Sequence, residues 1–501
     1  MKRTLVLTII IALISVQAVS ASSFTVAPLT LISGPSPFAG CANIGGLGNP
    51  PGTNYPNAEE EPWVAVNPTN SQNIIAVWQQ DRWSNGGARG LVAGVSHDGG
   101  VTWHETYAHF SFCSGGTVEN GGDFERASDP WVTFSPNGHA YQISLSASSD
   151  LVTSAILVSK STDGGDTWSE PTTLIRETTS FHFNDKESIT ADPADSNFVY
   201  TVWDRSRKPG ENASFNALHS FAFRGDAMFS RTTNGGASWE APRSILPTNA
   251  NLFTIGNQIV VLPDGTLVDV FGLGRGSGIQ PSVNPFTHSL VRSTDKGLTW
   301  SRIIDISTDQ ALGARDPDTG RPIRAEGGIP EIAVDPNNGN LYVVWQDSRF
   351  SGVDEVAFSM STDGGFTWTS PIKVNQTPRS DTVANQQAFV PNIRVGTDGT
   401  VAVTYYDFRN NTADPGVPTD YWIVHCHANC SNATNWGDEA RLSSASFDIE
   451  QAPAARGPFG FFLGEYEGLT SIGNNFMPVF IQVNNGNSAN RTDVFGTITG
   501  P

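Results

Sequence analysis

The amino-acid sequence predicts an all-β protein built from a repeated unit of four short antiparallel strands. An eight-residue box, "STDGGDTW" at 161–168, recurs in near-copies, and successive box tryptophans lie 61 to 71 residues apart. These tryptophans are Trp103, Trp168, Trp239, Trp300 and Trp368, and a degraded sixth copy ends at Trp436. Two β-rich runs around an Asn/Asp/Pro/Gly turn, the pattern of a β-hairpin, occur seven times: 61–82, 129–146, 187–205, 257–271, 329–349, 390–409 and 465–483. A third run precedes each box and a fourth follows it, which completes a four-stranded meander.

Seven such units indicate a β-propeller. Strands that are buried on both faces need neighbours that cover them, and a ring of radially arranged sheets supplies these neighbours. The last unit ends after its third strand, at 493–500, so we expect the N-terminal run 23–33 to add the fourth strand and close the ring. The prediction is one seven-bladed propeller of four-stranded antiparallel blades over residues 22–501.

Composition and the N-terminus narrow the classes of function. The net charge of −20 argues against partners that are nucleic acids or anionic membranes. Lys2 and Arg3 precede the apolar run "LVLTIIIALISV" and the small residues "AVSASS", the order of a secretory signal peptide that is too short to span a bilayer. We therefore predict a signal peptide at 1–21 and a secreted monomer without a membrane span.

The four cysteines fit an oxidising compartment. Cys426 and Cys430 lie close enough for a small local disulfide loop, which leaves Cys41 and Cys113 to pair with each other. A metal site in "HCHANC" (425–430) is the alternative. Six sequons would permit glycosylation in a eukaryotic host: Asn212, Asn375, Asn410, Asn429, Asn432 and Asn490.

The repeated box itself is predicted to be structural. Its Asp and paired glycines suit a tight turn, and its Trp suits an apolar plug between neighbouring sheets. One Asp per box is too few for calcium, which takes six or more oxygen ligands. The sequence implies no cofactor, and a structural calcium ion elsewhere stays open.

The box resembles the Asp-box, or bacterial neuraminidase repeat, of the sialidase superfamily. That superfamily includes sialidases, exo-arabinanases, polysaccharide lyases and non-catalytic propellers. The segment "GEYEGLT" (464–470) is similar to the segment of sialidases that holds a nucleophilic Tyr activated by Glu, which implies Tyr466 as nucleophile with Glu465 or Glu467 beside it. The resemblance also implies that Arg82 binds substrate. The chain departs from the sialidase pattern at "EEEPWVAV" (59–66), which replaces an Arg-Ile-Pro opening, and at Gly256, which replaces a Glu.

In a four-stranded meander, the start of strand one and the end of strand two meet at the face opposite the boxes. Charged residues collect at those positions. We predict that Glu61 or Asp129 is the acid/base and that the rim binds an acidic sugar. The predicted substrate-binding residues are Asp81, Arg82, Lys186, Arg205, Arg324, Glu326, Arg349 and Arg409. For any single Asp–Arg pair, an ion pair between blades is the alternative.

Three functions remain open on the sequence alone. The first is a secreted, sialidase-like exo-glycosidase that cleaves a glycosidic bond to an acidic sugar of an extracellular glycan or polysaccharide. The second is a polysaccharide lyase, in which Tyr466 or His182 removes a proton from a uronate. The third is a non-catalytic propeller that binds glycan or protein.

Overall fold

The computed structural model describes residues 24–41, 52–208, 224–248, 252–275, 286–325, 327–455 and 460–501. The predicted signal peptide and Glu326 lie outside these ranges. The described residues form an all-β structure with no α-helix and four short 3-10 turns: Phe112–Ser114, Val383–Gln386, Ala433–Asn435 and Ile449–Gln451. None of these helical turns is long and apolar enough to cross a membrane.

The strands follow one another as antiparallel meanders. Two short N-terminal strands come first, β1 (Thr25–Val26) and β2 (Thr30–Leu31). The first and second meanders are β3 (Glu59–Val66), β4 (Ile74–Arg82), β5 (Ala88–Ser96), β6 (His104–Thr106), and β7 (Arg126–Phe134), β8 (Ala140–Ala147), β9 (Ser154–Ser161), β10 (Thr172–Glu177). The third and fourth are β11 (His182–Ala191), β12 (Val199–Arg207), β13 (Arg224–Thr232), β14 (Arg243–Leu246), and β15 (Leu252–Val261), β16 (Leu267–Arg275), β17 (Thr287–Ser293), β18 (Ile304–Thr308).

The C-terminal half continues the pattern with short additions. After β19 (Ile323–Arg324) come β20 (Glu331–Val334), β21 (Leu341–Asp347), β22 (Glu355–Ser361) and β23 (Ile372–Lys373). The next meander is β24 (Ala388–Val395), β25 (Val401–Asp407), β26 (Pro418–Cys426) and β27 (Trp436–Arg441). The chain ends with β28 (Phe447–Asp448), β29 (Phe461–Phe462), β30 (Gly468–Ile472), β31 (Asn475–Val483), β32 (Thr492–Gly496) and β33 (Thr499–Gly500).

These strands are hydrogen-bonded into six sheets among the described residues. Each of the two eight-stranded sheets contains two consecutive meanders, joined in one case by the single pair Ala88–Ala127. In the last sheet β31 pairs with β30 and β32, and the N-terminal β2 pairs antiparallel with β32. The chain also adds β33, which the sequence did not predict as a separate strand, and β33 pairs with β1.

The first strands of the meanders are neighbours in chain order. β3 contacts β7, β7 contacts β11, β11 contacts β15, β15 contacts β20, β20 contacts β24 and β24 contacts β30. β30 also contacts β3. The starts of these strands are therefore brought close together, and this convergence positions the candidate site.

Several second strands carry a buried tryptophan side chain that is hydrogen-bonded in the core. Trp78, Trp203 and Trp345 stand at corresponding positions in "AVWQ", "TVWD" and "VVWQ" and are completely buried. Each indole N–H donates to a side-chain oxygen at 2.8 to 3.0 Å. A buried Trp needs such an acceptor, because an unpaired N–H in the core costs free energy.

The boxes form the predicted turns. In the box at 361–368, Asp363 accepts hydrogen bonds from the Thr367 N–H at 3.0 Å and the Thr367 hydroxyl at 2.6 Å. Gly364 and Gly365 have φ angles of 75° and 93°, which favour glycine. The Trp368 indole N–H donates to the Gly365 carbonyl at 3.1 Å.

Both predicted disulfides are present. Cys41 is bonded to Cys113 and Cys426 to Cys430. The metal alternative for "HCHANC" is wrong, because the disulfide consumes both thiolates that would have been its ligands.

Candidate functional site

The candidate site begins with backbone bulges at the starts of the first strands. The register shifts between Glu60 and Trp63 in β3, and at corresponding places in β7, β11, β15 and β24. The residue inside each bulge has a positive φ: Glu61 at 52°, Asp129 at 52°, Lys186 at 49°, Gly256 at 69° and Val390 at 49°. Four of these are not glycine, and positive φ costs such residues free energy that the surroundings must supply. The bulges re-aim the side chains, so several of them meet.

Lys186 lies at the centre of this meeting point. Its ammonium Nζ lies 3.1 Å from Oε1 of Glu61 and 2.8 Å from Oδ1 of Asp129, and it also contacts Oε2 of Glu465. All four side chains are buried, with Lys186 the most exposed at 8%. We call Lys186, Glu61, Asp129 and Glu465 the axial cluster.

The ionisation of the axial cluster follows from these contacts. Burial opposes the charge of Lys186, but Asp129, Glu465 and Glu61 together raise its pKa well above the usual value, so the ammonium stays charged. Burial also opposes the charge of Glu465, but Arg324 and Lys186 lower its pKa to about 2. Burial raises the pKa of Glu61, and Lys186 only partly offsets this. Carboxylate oxygens are the ligands that hard cations prefer, and here the Lys186 ammonium stands among them.

Two arginines support the axial cluster from outside. Arg324 Nε donates to Glu465 Oε1 at 2.5 Å. Arg82 pairs with Glu60 at 3.0 Å and donates to Gln79 at 2.5 Å, and Gln79 in turn donates to Glu61.

Both guanidinium groups also contact one aromatic ring. Arg82 and Arg324 each lie 4.7 Å from the ring centre of Phe462, a distance that allows cation–π attraction. Both arginines are thus held in place by the chain's own carboxylates and by Phe462.

An aromatic wall stands beside the axial cluster. Trp63 and Trp131 stack with ring centres 3.5 Å apart, and the ring of Tyr466 lies 6.1 and 5.9 Å from them. The Tyr466 hydroxyl donates to the Pro130 carbonyl at 3.5 Å, and Lys186 Nζ lies 5.4 Å from the ring centre of Tyr466.

The lowered pKa that a nucleophilic Tyr466 needs is not found. Burial, followed by the charges of Glu61 and Asp129, raises the pKa of Tyr466 well above its usual value. Each of these influences opposes ionisation of the Tyr466 hydroxyl, and the nucleophilic role that the resemblance implies stays a prediction. The raised pKa favours the protonated phenol, which can donate a hydrogen bond.

A small cavity opens between this wall and the neighbouring first strands. Its volume is about 20 Å³, which has room for one or two water molecules. The lining residues include Asp129, Lys186, Glu187, Glu331 and Tyr466.

Two buried acids in this lining had no predicted role. Glu187 is buried, and among the described residues no side chain is hydrogen-bonded to its carboxyl oxygens; burial raises its pKa well above the usual value. Burial raises the pKa of Glu331 to about 7, although Arg394 lowers it. Their places in the sequence could have indicated them, since each stands one or two residues after the place in a first strand that corresponds to a bulge.

The lining also explains why Gly256 stands where the sialidase resemblance implies a Glu. A Cβ at Gly256 would lie 2.8 Å from Cγ2 of Ile329, closer than carbon atoms pack. The φ of 69° at Gly256 also favours glycine. A glutamate does not fit at this position without displacing Ile329.

The remaining predicted site residues are engaged in other contacts. These are Arg205 with Glu177 at 2.6 Å, Arg349 with Asp347 at 2.7 Å, Arg409 with Asp407 at 2.6 Å, Asp81 with Arg89 at 3.2 Å, and Glu467 with the Tyr406 hydroxyl at 2.9 Å. His182 lies 3.5 Å from Glu177. Arg349 also donates to the Thr308 carbonyl of the preceding meander at 2.6 Å. The pair of Arg205 with Glu177, which is the last residue of the preceding meander, is an ion pair between successive meanders of the kind foreseen as the alternative.

Comparison with known proteins finds similarity at the level of structure. No family model matches the chain, and no curated protein matches it. A solved α-L-arabinanase of Penicillium chrysogenum is 15% identical over 76% of this chain and 94% of that chain, with a TM-score of 0.47. An α-L-arabinofuranosidase of Fusarium graminearum is 14% identical over 94% and 97%, with a TM-score of 0.43. A Hadza microbial sialidase is 15% identical over 86% and 74%, with a TM-score of 0.45. The chain is thus similar in structure to arabinan-degrading enzymes and to sialidases.

Proposed function

We propose that residues 22–501 form one ring of seven four-stranded blades and that the chain is a secreted monomeric glycosidase. The contacts between successive first strands, including that of β30 with β3, support a closed ring. The pairing of β2 with β32 supports an N-terminal strand as the closing element. Two disulfides support an extracellular location.

The observation that carries the proposed activity is the pair of carboxylates held on one ammonium. Glu61 and Asp129 contact Lys186 Nζ at 3.1 and 2.8 Å. Their two oxygens therefore lie no more than about 6 Å apart, close to the roughly 5 to 5.5 Å between the carboxyl groups of retaining glycosidases. Such enzymes need one protonated acid and one carboxylate at the bond that breaks.

The environments of the two carboxyl groups assign their roles. Burial raises the pKa of Glu61, so Glu61 donates the proton to the departing glycosidic oxygen. Asp129 attacks the anomeric carbon as that carbon–oxygen bond breaks, and forms a glycosyl ester. Water deprotonated by Glu61 then hydrolyses the ester and restores both groups. Lys186 positions both side chains.

The charges around the axial cluster favour a neutral sugar over the predicted acidic one. Arg82 and Arg324 are already paired with the buried carboxylates of Glu60 and Glu465. An acidic ligand would have to displace one of these carboxylates and would also face Asp129 and Glu61. A neutral sugar meets neither cost.

A second candidate function is a propeller that binds without catalysis. The specific observation in its favour is the size of the cavity, about 20 Å³, which is smaller than a sugar ring. On this alternative the axial cluster is a structural plug that joins the first strands. A lyase that uses Tyr466 as its base is disfavoured, because the raised pKa of Tyr466 keeps its hydroxyl protonated.

The experiment is an activity screen of the mature chain without an affinity tag. The substrates are arabinan and other neutral polysaccharides, sialosides, and uronate-containing polysaccharides. Reducing ends report hydrolysis, and absorbance of the unsaturated uronate reports a lyase. We expect reducing ends from a neutral substrate with retained anomeric configuration.

Variants tie the activity to the axial cluster. Glu61→Gln and Asp129→Asn are expected to lower kcat by about 10² to 10⁴-fold. Glu240→Gln is the matched control, because Glu240 pairs with Arg231 and Arg243 next to a box. Hydrolysis that survives both axial variants, or glycan binding without hydrolysis of any substrate, would overturn the proposed activity.

A further inference from the structure

Three metal-ligating side chains meet on the surface where the first two box turns adjoin. Nε2 of His97 lies 2.8 Å from Oδ1 of Asp166, and Nε2 of His104 lies 3.0 Å from the same oxygen. Donor atoms of the three residues all lie within 4.8 Å of one another. The side chains are 44%, 51% and 45% exposed, so an ion from solvent can reach all three.

The internal repeats show that these three residues are departures from the box pattern. The second box position is His97 in the first box and Thr in the other four. The sixth position is Asp166 in the second box, whereas the other boxes carry Val101, Ala237, Leu298 and Phe366. The position after the box Trp is His104 in the first copy and Ser, Glu, Ser or Thr in the others. The turn therefore forms without these residues, and all three departures converge on one point.

We propose that His97, His104 and Asp166 bind a divalent transition metal ion of the zinc type. Zinc binds imidazole nitrogen at about 2.0 to 2.1 Å and carboxylate oxygen at about 2.0 to 2.2 Å in a tetrahedron, so its ligand atoms lie roughly 3.3 Å apart. The two N–O distances, 2.8 and 3.0 Å, need only a small opening to reach that value. Two imidazoles with one carboxylate suit zinc, nickel or copper better than calcium or magnesium, which prefer oxygen ligands alone. Water completes the coordination.

The contact of Asn73 with His97 limits the affinity of this site for a metal ion. Nδ2 of Asn73 lies 3.3 Å from Nδ1 of His97 and also donates to the carbonyls of Gly164 and Ser96. A metal on Nε2 leaves the imidazole proton on Nδ1, which then faces the amide N–H of Asn73. This contact is lost on binding, and Asn73 does not offer His97 the second-shell acceptor that strengthens zinc sites. The dissociation constant is therefore expected on the order of micromolar.

The bound ion would join two successive turns. His97 lies in the turn between β5 and β6, His104 is the first residue of β6, and Asp166 lies in the turn between β9 and β10. An ion that binds the folded chain and not the unfolded chain stabilises the fold by mass action. This role is independent of the proposed glycosidase activity.

The test is calorimetric titration of the tag-free protein with zinc chloride at pH 7.5, with nickel chloride as a second probe. We expect one site per chain and a rise in the thermal unfolding midpoint that EDTA reverses. Asp166→Ala, which installs the residue of the third box, and His104→Ala are each expected to weaken zinc binding at least tenfold, because the loss of a second-shell group alone typically costs roughly 10 to 100-fold. The four cysteines are in disulfides, so no thiolate competes for zinc.

His109→Ala is the matched control. His109 is an exposed histidine that lies 3.0 Å from Glu170 without a second histidine in contact. Its replacement is expected to leave zinc affinity unchanged. Failure of the unmodified protein to bind zinc or nickel up to about 1 mM, where binding is worth only about 4 kcal/mol, would overturn the proposal. Zinc binding by Asp166→Ala as tight as that of the unmodified protein would also overturn it.

Discussion

Replacement of Lys186 by methionine tests the axial cluster most directly. Methionine keeps most of the volume of the side chain but removes the ammonium that contacts Glu61, Asp129 and Glu465. Removing one partner of a buried ion pair typically costs about 3 to 5 kcal/mol, because a buried charge is left uncompensated. Here three carboxylates lose their shared cation. We expect the free energy of unfolding at pH 7.5 to fall by at least about 3 kcal/mol.

The pH dependence of the stability loss distinguishes the loss of the ammonium charge from a simple loss of packing, because a loss of packing would not change with pH. In the unmodified chain the pKa of Glu465 is about 2, below its value of about 4.3 in an unfolded chain. Its contribution to stability is therefore present above pH 4.3 and lost as the pH falls towards 2. In Lys186→Met the remaining carboxyl groups have raised pKa values and bind protons on folding. The stability deficit of the variant should therefore shrink as the pH falls from 8 to 5.

The assay is urea unfolding followed by tryptophan fluorescence at several pH values between 5 and 8. Lys296→Met is the matched control, because Lys296 also pairs with two carboxylates, Asp192 and Asp195, both at 3.3 Å. Its side chain is 36% exposed, so its loss should cost no more than about 1 kcal/mol. Equal losses for the two variants, or a deficit for Lys186→Met that does not change with pH, would refute this account of the axial cluster.

Two further predictions concern the disulfides and the box turns. Replacing Cys41 and Cys113 by serine should lower the thermal midpoint more than replacing Cys426 and Cys430. The first disulfide joins residues 72 positions apart and the second joins residues 4 apart, and in the chain-entropy model the larger loop stabilises the fold by roughly 4 kcal/mol. Equal midpoint losses would contradict this. Hydrogen bonds from Thr367, with others, lower the pKa of the exposed Asp363 to about 2 even though its limited burial opposes this. Its stabilisation is therefore present above an unfolded pKa of about 3.9 and lost towards pH 2. Asp363→Asn should flatten the acid limb of the thermal midpoint between pH 4 and 2, and an unchanged limb would contradict this.

The repeat made most of the strands predictable from sequence. The predicted hairpin 61–82 corresponds to β3 and β4, and the hairpin 390–409 to β24 and β25, since alternating buried positions and turn residues are local signals. The bulges were not predictable. Glu61 and Lys186 adopt positive φ without being glycine, and that conformation depends on contacts with strands that are distant in sequence.

The location of the candidate site was predictable from the sequence, but the ion-pair partners within it were not. The starts of the first strands were expected to meet, and Glu61, Asp129, Lys186 and Glu465 are in contact there; their chemical roles stay predictions. The partner of each arginine could not be foreseen, because charge alone does not say which carboxylate faces it. Arg324 and Glu465 are 141 residues apart in the chain, and only the fold brings them together.

The residues at the position of the bulge in the seven first strands suggest why any chemistry would be confined to one side of the point where these strands meet. Five of these strands carry a bulge, at Glu61, Asp129, Lys186, Gly256 and Val390. Sequence correspondence aligns Ile329 and Tyr466 with that position in the other two. The polar members belong to four first strands that are successive neighbours, β30, β3, β7 and β11, whereas the other three positions are apolar or glycine. An ion cluster that is buried in protein experiences a lower effective dielectric than one surrounded by water, which strengthens each contact of Lys186. The same asymmetry would present a substrate with carboxylates from one direction only, which is the arrangement that a directed proton transfer requires.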